Sequence, residues 1–343
     1  MAELSVSELS EVGTDSLKVS RFLAAQDPLA LLAQELGVKF RLYRDEWERA
    51  RTFQSLPPFP LHVDYEIQLK CDLRCPICPN GLAQKGHKGQ KEPLALKKDA
   101  VIALLKEGTA QGQRSMGFGG LWEPLTYAEL PEIVAVGREL GIVDAMLNTN
   151  GQLLDRAKSL ELVKAGLTRL MVSVDAATAK TYAIARPGGD FGLLESNILG
   201  FLAAREELGR KLPILRLSFC VTRLNEGELG RFLAKWEKKV DFFSVQSYGR
   251  FDPKAPALFP KNGPFPAPGG RCAQPQKRLL VRHDGTTTPC CDLSGLSLTL
   301  GDVKTESLTE IWAGARIQKI RAALAGPKAS WPKACQACQA KYG

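Results

Sequence analysis

Six strand-like runs alternate with helix-like runs between residues 61 and 248, and this alternation limits the possible folds more than any other feature of the 343-residue chain. In the first run Leu61, Val63, Tyr65, Ile67 and Leu69 alternate with mostly polar residues, the period of a strand with one face on a core. Further strand-like runs cover 115–120, 144–150, 167–175, 214–221 and 240–248. Between them lie amphipathic stretches near 100–110, 127–140, 155–165, 193–208 and 226–239. Strands joined through helices run parallel and need helices over their faces. Six units are too few for a closed eight-unit barrel. That leaves a partial, open barrel or a flat doubly wound sheet.

The flanks read differently. Residues 1–60 show helical periodicity in Leu29, Leu31, Leu32 and Leu36, then in Arg41, Tyr43, Trp47 and Arg51, and end at Pro57, Pro58 and Pro60. A helical N-terminal extension is expected there. The α/β barrel is expected over 61–250, a Pro- and Gly-rich linker over 251–270, and a small second domain over 271–343. No apolar run is long enough to span a bilayer and the N-terminus lacks a secretory pattern, so the expected location is cytoplasmic.

Nine cysteines in such a chain point to metal or catalysis before disulfides. Cys71, Cys75 and Cys78 follow the first strand with spacing C-x3-C-x2-C. Three thiolates on one loop can hold three corners of a cubane and leave the fourth iron open to a substrate or cofactor. A structural zinc site needs a fourth ligand close by, and His62 and His87 do not stand at finger spacing. Spacing and position together resemble the radical S-adenosylmethionine (SAM) superfamily over about 61–248, a resemblance that implies a partial (β/α)6 barrel.

The resemblance implies further roles. Gly119, Gly120 and Glu123, in the run Phe118-Gly-Gly-Leu-Trp-Glu-Pro124, are similar to the turn that holds the methionyl ammonium of SAM; Trp122 stands where the family has glycine. Ser173 and Asp175 end the fourth strand, where a serine resembles one that binds the cofactor. Arg186 resembles the arginine that pairs with the SAM carboxylate, a task suited to a planar fork. Asn225 and Glu228 read as helix caps. Cys220, alone in an apolar strand, reads as a buried structural thiol.

A second constellation follows. Arg282, His283, Asp284 and Gly285 read as a hairpin turn between 279–281 and 286–288, bringing Cys272 and Cys290 together, with Cys335 and Cys338 later in a C-x2-C pair. These four are similar to the ligands of the twitch/SPASM-like domain that holds an auxiliary [4Fe-4S] cluster. A four-thiolate zinc ribbon is the alternative on spacing alone. Cys291 is left over, as an inert neighbour, a further ligand or a hydrogen-atom donor.

The net charge is +9, and 256–343 holds 12 Lys+Arg against 5 Asp+Glu, so +7 of it lies in the last quarter. The charges are dispersed rather than blocked, which argues against nucleic acid. A thiolate-ligated cluster carries about −2 in its resting form, and part of the excess balances it. The implied cofactors are two [4Fe-4S] clusters and SAM; an electron donor such as flavodoxin or ferredoxin is the implied partner. In the implied chemistry, SAM is cleaved reductively to a 5′-deoxyadenosyl radical that abstracts hydrogen from substrate. The expected activity is that of a radical SAM oxidoreductase that oxidises an alcohol of a small hydroxylated metabolite, neutral or anionic, the auxiliary cluster accepting the electron. An epimerase with Cys291 or Cys220 as donor is one alternative, and a peptide-modifying maturase another, set lower because such enzymes commonly carry a longer recognition domain. A non-enzymatic zinc or RNA-binding protein explains the cysteines and charge but not the barrel motifs. Trp122, Gln246 and Tyr248 are expected to line the cavity.

Overall fold

The computed structural model describes residues 9–14, 20–79, 95–250, 256–261, 271–290 and 297–340. A hairpin of β1 (Ser10–Thr14) and β2 (Ser20–Ala24) comes first, then helix α1 (Pro28–Arg51), which Asp27 caps and which kinks at Gly37 (φ 69°). The repeated unit follows: β3 (His62–Tyr65), α2 (Lys98–Gln111), β4 (Ser115–Phe118), α3 (Leu130–Glu139), β5 (Asp144–Thr149), α4 (Arg156–Lys164) and β6 (Arg169–Ser173). After the short α5 (Ala179–Ala185) come α6 (Phe191–Glu207), β7 (Ile214–Val221), α7 (Leu229–Trp236) and β8 (Phe242–Ser247). Strands β3 to β8 lie side by side in chain order and all pair in parallel. This is the partial (β/α)6 barrel; a doubly wound sheet would reverse strand order part-way.

The core explains why these residues make these elements. Val63, Tyr65, Phe118, Leu147, Leu170, Val172, Leu217, Phe219 and Phe243 are buried under the helices, which contribute Val101, Leu105, Ile133, Leu162, Ile198, Phe201 and Phe232. Alternation therefore turns the intervening residues of each strand toward the lumen. Helix α3 approaches β4 so closely that a Cβ at Gly137 would stand 2.7 Å from the Met116 thioether. A second buried cluster closes the N-terminal end of the barrel. Phe40 and Tyr43 of α1 pack with Leu61, Val143, Ile214 and Phe242, which stand at the starts of β3, β5, β7 and β8. Below the lumen Arg169 meets the fully buried Asp144 through Nε and Nη2 at 2.7–3.0 Å.

The sheet does not stop at the barrel. At one edge β2 pairs antiparallel with β8, Ser20 opposite Gln246 and Phe22 opposite Ser244. The N-terminal extension is thus a hairpin followed by a helix, and the expectation of a wholly helical segment is corrected. At the other edge β9 (Arg278–Val281) pairs parallel with β3, followed by β10 (Thr286–Thr288) and β11 (Gly301–Asp302), both antiparallel. Gly285, at φ 89°, makes the expected β9–β10 turn. Helices α8 (Leu308–Ala313), α9 (Ala315–Ala325) and α10 (Lys333–Ala340) follow. Thr309 donates through N and Oγ1 to Glu107 of α2 at 2.9–3.0 Å, and Trp312 Nε1 to the Pro57 carbonyl at 3.1 Å. Most of the expected linker lies outside the described residues. Among the described residues no helix is long and apolar enough to cross a membrane.

Candidate active site

The three-cysteine loop leaves the C-terminal end of β3 and is held from three sides. Asn150, just past β5, donates Nδ2 to Asp72 Oδ1 at 2.6 Å, and the same nitrogen stands 4.0 Å from Cys71 Sγ. Arg74 N donates to Pro187 O at 2.9 Å. Arg186 Nη1 stands 3.9 Å from Cys75 Sγ. Gly188 (φ 98°) permits this approach, since a Cβ there would lie 3.2 Å from the Asp72 carbonyl. Cys75 is buried, and Cys71 and Cys78 are half-buried. Burial above all pushes the Cys71 thiol up to about 12, so its thiolate requires a metal's positive charge nearby. Three thiols on one loop, two of them faced by N–H donors, fit a cluster whose thiolates each bind a different iron. Among the described residues no three His, Cys, Asp or Glu side chains converge as they would on a single ion.

The turn after β4 is built around Glu123. Its carboxylate, 2% exposed, accepts hydrogen bonds from Thr149 Oγ1 at 2.6 Å, Asn150 N at 2.7 Å and Leu125 N at 3.1 Å. Burial raises its pKa to about 7 against those hydrogen bonds. Glu123 thereby ties the turn to the end of β5, and Asn150 carries the tie on to the cysteine loop. Gly119 and Gly120 leave no room for side chains: Cβ atoms would stand 2.9 Å from Asn148 and 3.0 Å from Glu66 Oε2. Trp122, in the place of the family's glycine, is 5% exposed and donates Nε1 to the Gly119 carbonyl at 2.7 Å. It closes the turn and packs in the main core. Tyr248, 2% exposed, is likewise buried, its hydroxyl on the Pro256 carbonyl at 2.7 Å, whereas Gln246 is half-buried.

Past β6, Asp175 adopts φ 58°, a conformation open to few side chains. Its Oδ2 accepts from Arg186 Nε at 3.0 Å and Nη2 at 2.5 Å, and its Oδ1 from Cys220 N at 2.7 Å. Asn225 Nδ2 donates to the carbonyls of Asp175 and Cys220, both at 2.9 Å. Arg186 is therefore no exposed helix-end charge: its side chain is 12% exposed. Burial works against its charge, but Asp175 holds it protonated. Asn225 joins two loops, and Glu228 accepts from Ala177 N and the Thr178 and Thr181 hydroxyls at 2.7 Å, bracing the start of α5 where a cap on its own helix was expected. Ser173 is half-buried at the end of β6, opposite Ser218. Cys220 stands on the lumen face, half-buried.

One cluster escaped the sequence reading. Glu66, 1% exposed, lies 3.3 Å from His283 Nδ1 and 3.8 Å from Arg282 Nε, and its Oε2 accepts from Leu121 N at 3.4 Å. It joins β3, the Gly119–Gly120 turn and the β9–β10 turn. No local signal marked it, because Glu66 continues the polar face of His62, Asp64 and Gln68 and its partner His283 lies 217 residues away in sequence.

Of the second constellation, Cys272 precedes β9 and Cys290 follows β10, its carbonyl accepting from Thr288 Oγ1 at 2.9 Å. Cys335 and Cys338 stand three residues apart on α10, on one side of the helix. Cys272 and Cys335 both pack against the main core. Cys291 lies outside the described residues.

Comparison with known proteins agrees with this arrangement. The radical SAM superfamily model matches residues 65–204, and the SPASM iron-sulfur cluster-binding domain matches 272–339. The chain is 26% identical over 319 residues to the PqqA peptide cyclase of Granulibacter bethesdensis, covering 81% of this chain and 79% of that one. It is 28% identical over 199 residues to the PqqA peptide cyclase of Gluconobacter oxydans, covering 57% and 52%. In fold it is similar to Streptococcus suis SuiB bound to S-adenosylmethionine, with a TM-score of 0.62 at 16% identity over 82% of this chain and 71% of that one. It is also similar to anSMEcpe with bound AdoMet, at 0.58 and 15% over 76% and 79%. The two PqqA relatives are peptide cyclases, which overturns the expectation of a small-molecule partner and of alcohol oxidation on a hydroxylated metabolite. The cofactors are those expected, a SAM-binding [4Fe-4S] cluster, an auxiliary [4Fe-4S] cluster and SAM. The cysteine loop at the mouth of a (β/α)6 barrel, and both family matches in their expected places, make this chain a member of the radical SAM superfamily with a C-terminal SPASM-type domain.

Proposed function

We propose that this enzyme modifies a peptide, removing two hydrogen atoms as it forms a bond within the peptide. The observation that carries this reading is the match to the Granulibacter bethesdensis PqqA peptide cyclase, which covers 81% of this chain and 79% of that one. In this reading Cys71, Cys75 and Cys78 hold the SAM-binding cluster, and Cys272, Cys290, Cys335 and Cys338 the auxiliary one. When bound, these groups supply a radical that takes one hydrogen atom and a route by which a second electron leaves.

The chain's own residues orient and exclude. Arg186, anchored by Asp175 through Nε and Nη2, presents Nη1 beside Cys75, where it suits the carboxylate of SAM. The backbone of Gly119 and Gly120 offers the close approach that side chains would block. Ser173 supplies a hydroxyl at the same end of the barrel. Glu123 commits both carboxylate oxygens to Thr149, Leu125 and Asn150, which makes it a positioning residue for Asn150 and the cysteine loop.

The test uses the reconstituted enzyme under anaerobic conditions with SAM, a reductant and synthetic peptides covering the short reading frames beside its gene. A peptide lighter by two hydrogens, formed together with 5′-deoxyadenosine and absent when Cys71, Cys75 and Cys78 are all changed to Ala, is the expected result. Formation of 5′-deoxyadenosine with every peptide mass unchanged would overturn the reading.

A further inference from the structure

Among the described residues Arg169 and Arg216 face the lumen of the barrel, and of these two Arg169 is neutralised. Arg169 gives its fork to Asp144. Arg216 stands on the neighbouring strand β7, opposite Met171 on one side and Phe242 on the other. Leu215 and Leu217 are both 0% exposed in the core beneath the helices, so alternation sends Arg216 and Ser218 into the lumen. The guanidinium lies 5.9 Å from the ring centres of Phe22 and Phe242, and Nη2 is 3.4 Å from Asn148 Oδ1. Its Nε is buried with no hydrogen-bond partner. Among the described residues no carboxylate pairs with Arg216. Burial first, and then the like charge of Arg169, lower its pKa to about 10, so it remains a cation at neutral pH.

The strands beside and above it supply donors rather than acids. Ser173, Ser218 and Ser244 are register partners across β6, β7 and β8, one lumen-facing step nearer the cysteine loop than Arg216. Ser244 is 0% exposed, and its Oγ also has no hydrogen-bond partner. Arg216 is half-buried with its Nε covered, so the open edge of the fork is available to an anion that reaches the lumen. A fork beside a rung of hydroxyls and the Asn148 amide matches a planar carboxylate in shape and charge. Aromatic rings on the other side exclude water and strengthen such a pair.

We propose that Arg216, with the serine rung above it, receives a carboxylate of the substrate inside the barrel. The proposal rests on the peptide-modifying reading and deepens it: the peptide carries an acidic side chain, or its own C-terminal carboxylate, beside the residue that reacts. This separates Arg216 from Arg186, which lies at the cysteine loop. Arg216 is thus a specificity-determining residue, and it fixes how deep the peptide enters.

The test is a binding selection rather than turnover. Random short peptides, in one pool with free and in another with amidated C-termini, are mixed with the reconstituted enzyme and SAM without reductant, and retained peptides are sequenced. The wild type should enrich Asp or Glu at one position by about tenfold in both pools, or retain the free-acid pool alone, which assigns the C-terminal carboxylate. Arg216→Met should lose that selection, Arg216→Lys should keep part of it, and Arg216→Glu should turn it toward Lys and Arg. Peptides retained without any carboxylate preference, or an acidic preference unchanged in Arg216→Met, would overturn the proposal while leaving the peptide reading intact. Retention of no peptide by the wild type would overturn both. Loss of SAM affinity in Arg216→Met and Arg216→Lys alike would assign the guanidinium to SAM and refute the proposal.

Discussion

Glu123 holds a proton to about pH 7 because burial penalises its charge, although three hydrogen bonds favour the anion. In the unfolded chain the same group ionises near its ordinary value of 4.5. Between those two pH values the folded state binds more protons, so stability falls as pH rises through that window. The shift corresponds to a loss on the order of 3 kcal/mol by the upper end. Glu123→Gln keeps the shape without the titration. Thermal unfolding of the two proteins across that window should show the wild type losing stability relative to the variant, and parallel curves would contradict the assignment. At this scale the cysteines were legible, because ligand spacing is local in sequence. The Asp175–Arg186 pair was not recognised as a pair, because it depends on the left-handed backbone of Asp175, which no local pattern announces.

Elements were legible where burial imposed a period. The six barrel strands alternate or run apolar, and each has a helix behind it. The β1 strand escaped because Ser10–Thr14 carries no apolar alternation; its register comes from β2, which in turn is held by the edge of β8. Helix α5 escaped because it has seven residues and is set by a cap at Thr178 and by Glu228 from the loop after the neighbouring strand β7. The tie from Glu66 to His283 spans 217 residues of sequence and no periodicity reports it. That tie locks the β9–β10 turn onto the barrel and its glycine turn. Glu66→Gln removes the charge that Arg282 and His283 face, and amides of 278–288 should exchange on the order of tenfold faster, while those of β5 stay unchanged. Uniform exchange rates in the two proteins would show that the hairpin is held by strand pairing alone.

In the whole molecule one continuous sheet runs from the N-terminal hairpin through the barrel into the C-terminal part, so both cysteine constellations hang from a single framework. Helix α1 closes the N-terminal end, and the lumen opens toward the cysteine loop. The substrate class was not legible in the sequence for a physical reason: the lumen residues Asn148, Ser173, Arg216, Ser218 and Ser244 are ordinary types spread over four strands, and become a site only when the barrel curls them together. The expected small metabolite is set aside because a relative matched over 81% of the chain is a peptide cyclase, and the peptide substrate is the reading proposed in its place. What tests this most directly is the origin of the hydrogen in 5′-deoxyadenosine. Reconstituted enzyme is reduced with SAM and with candidate peptides deuterated on their carbons, and the 5′-deoxyadenosine is weighed by mass spectrometry. The account predicts deuterium in 5′-deoxyadenosine drawn from the peptide; 5′-deoxyadenosine that stays unlabelled with the peptides but gains deuterium from a deuterated small-metabolite fraction would contradict it.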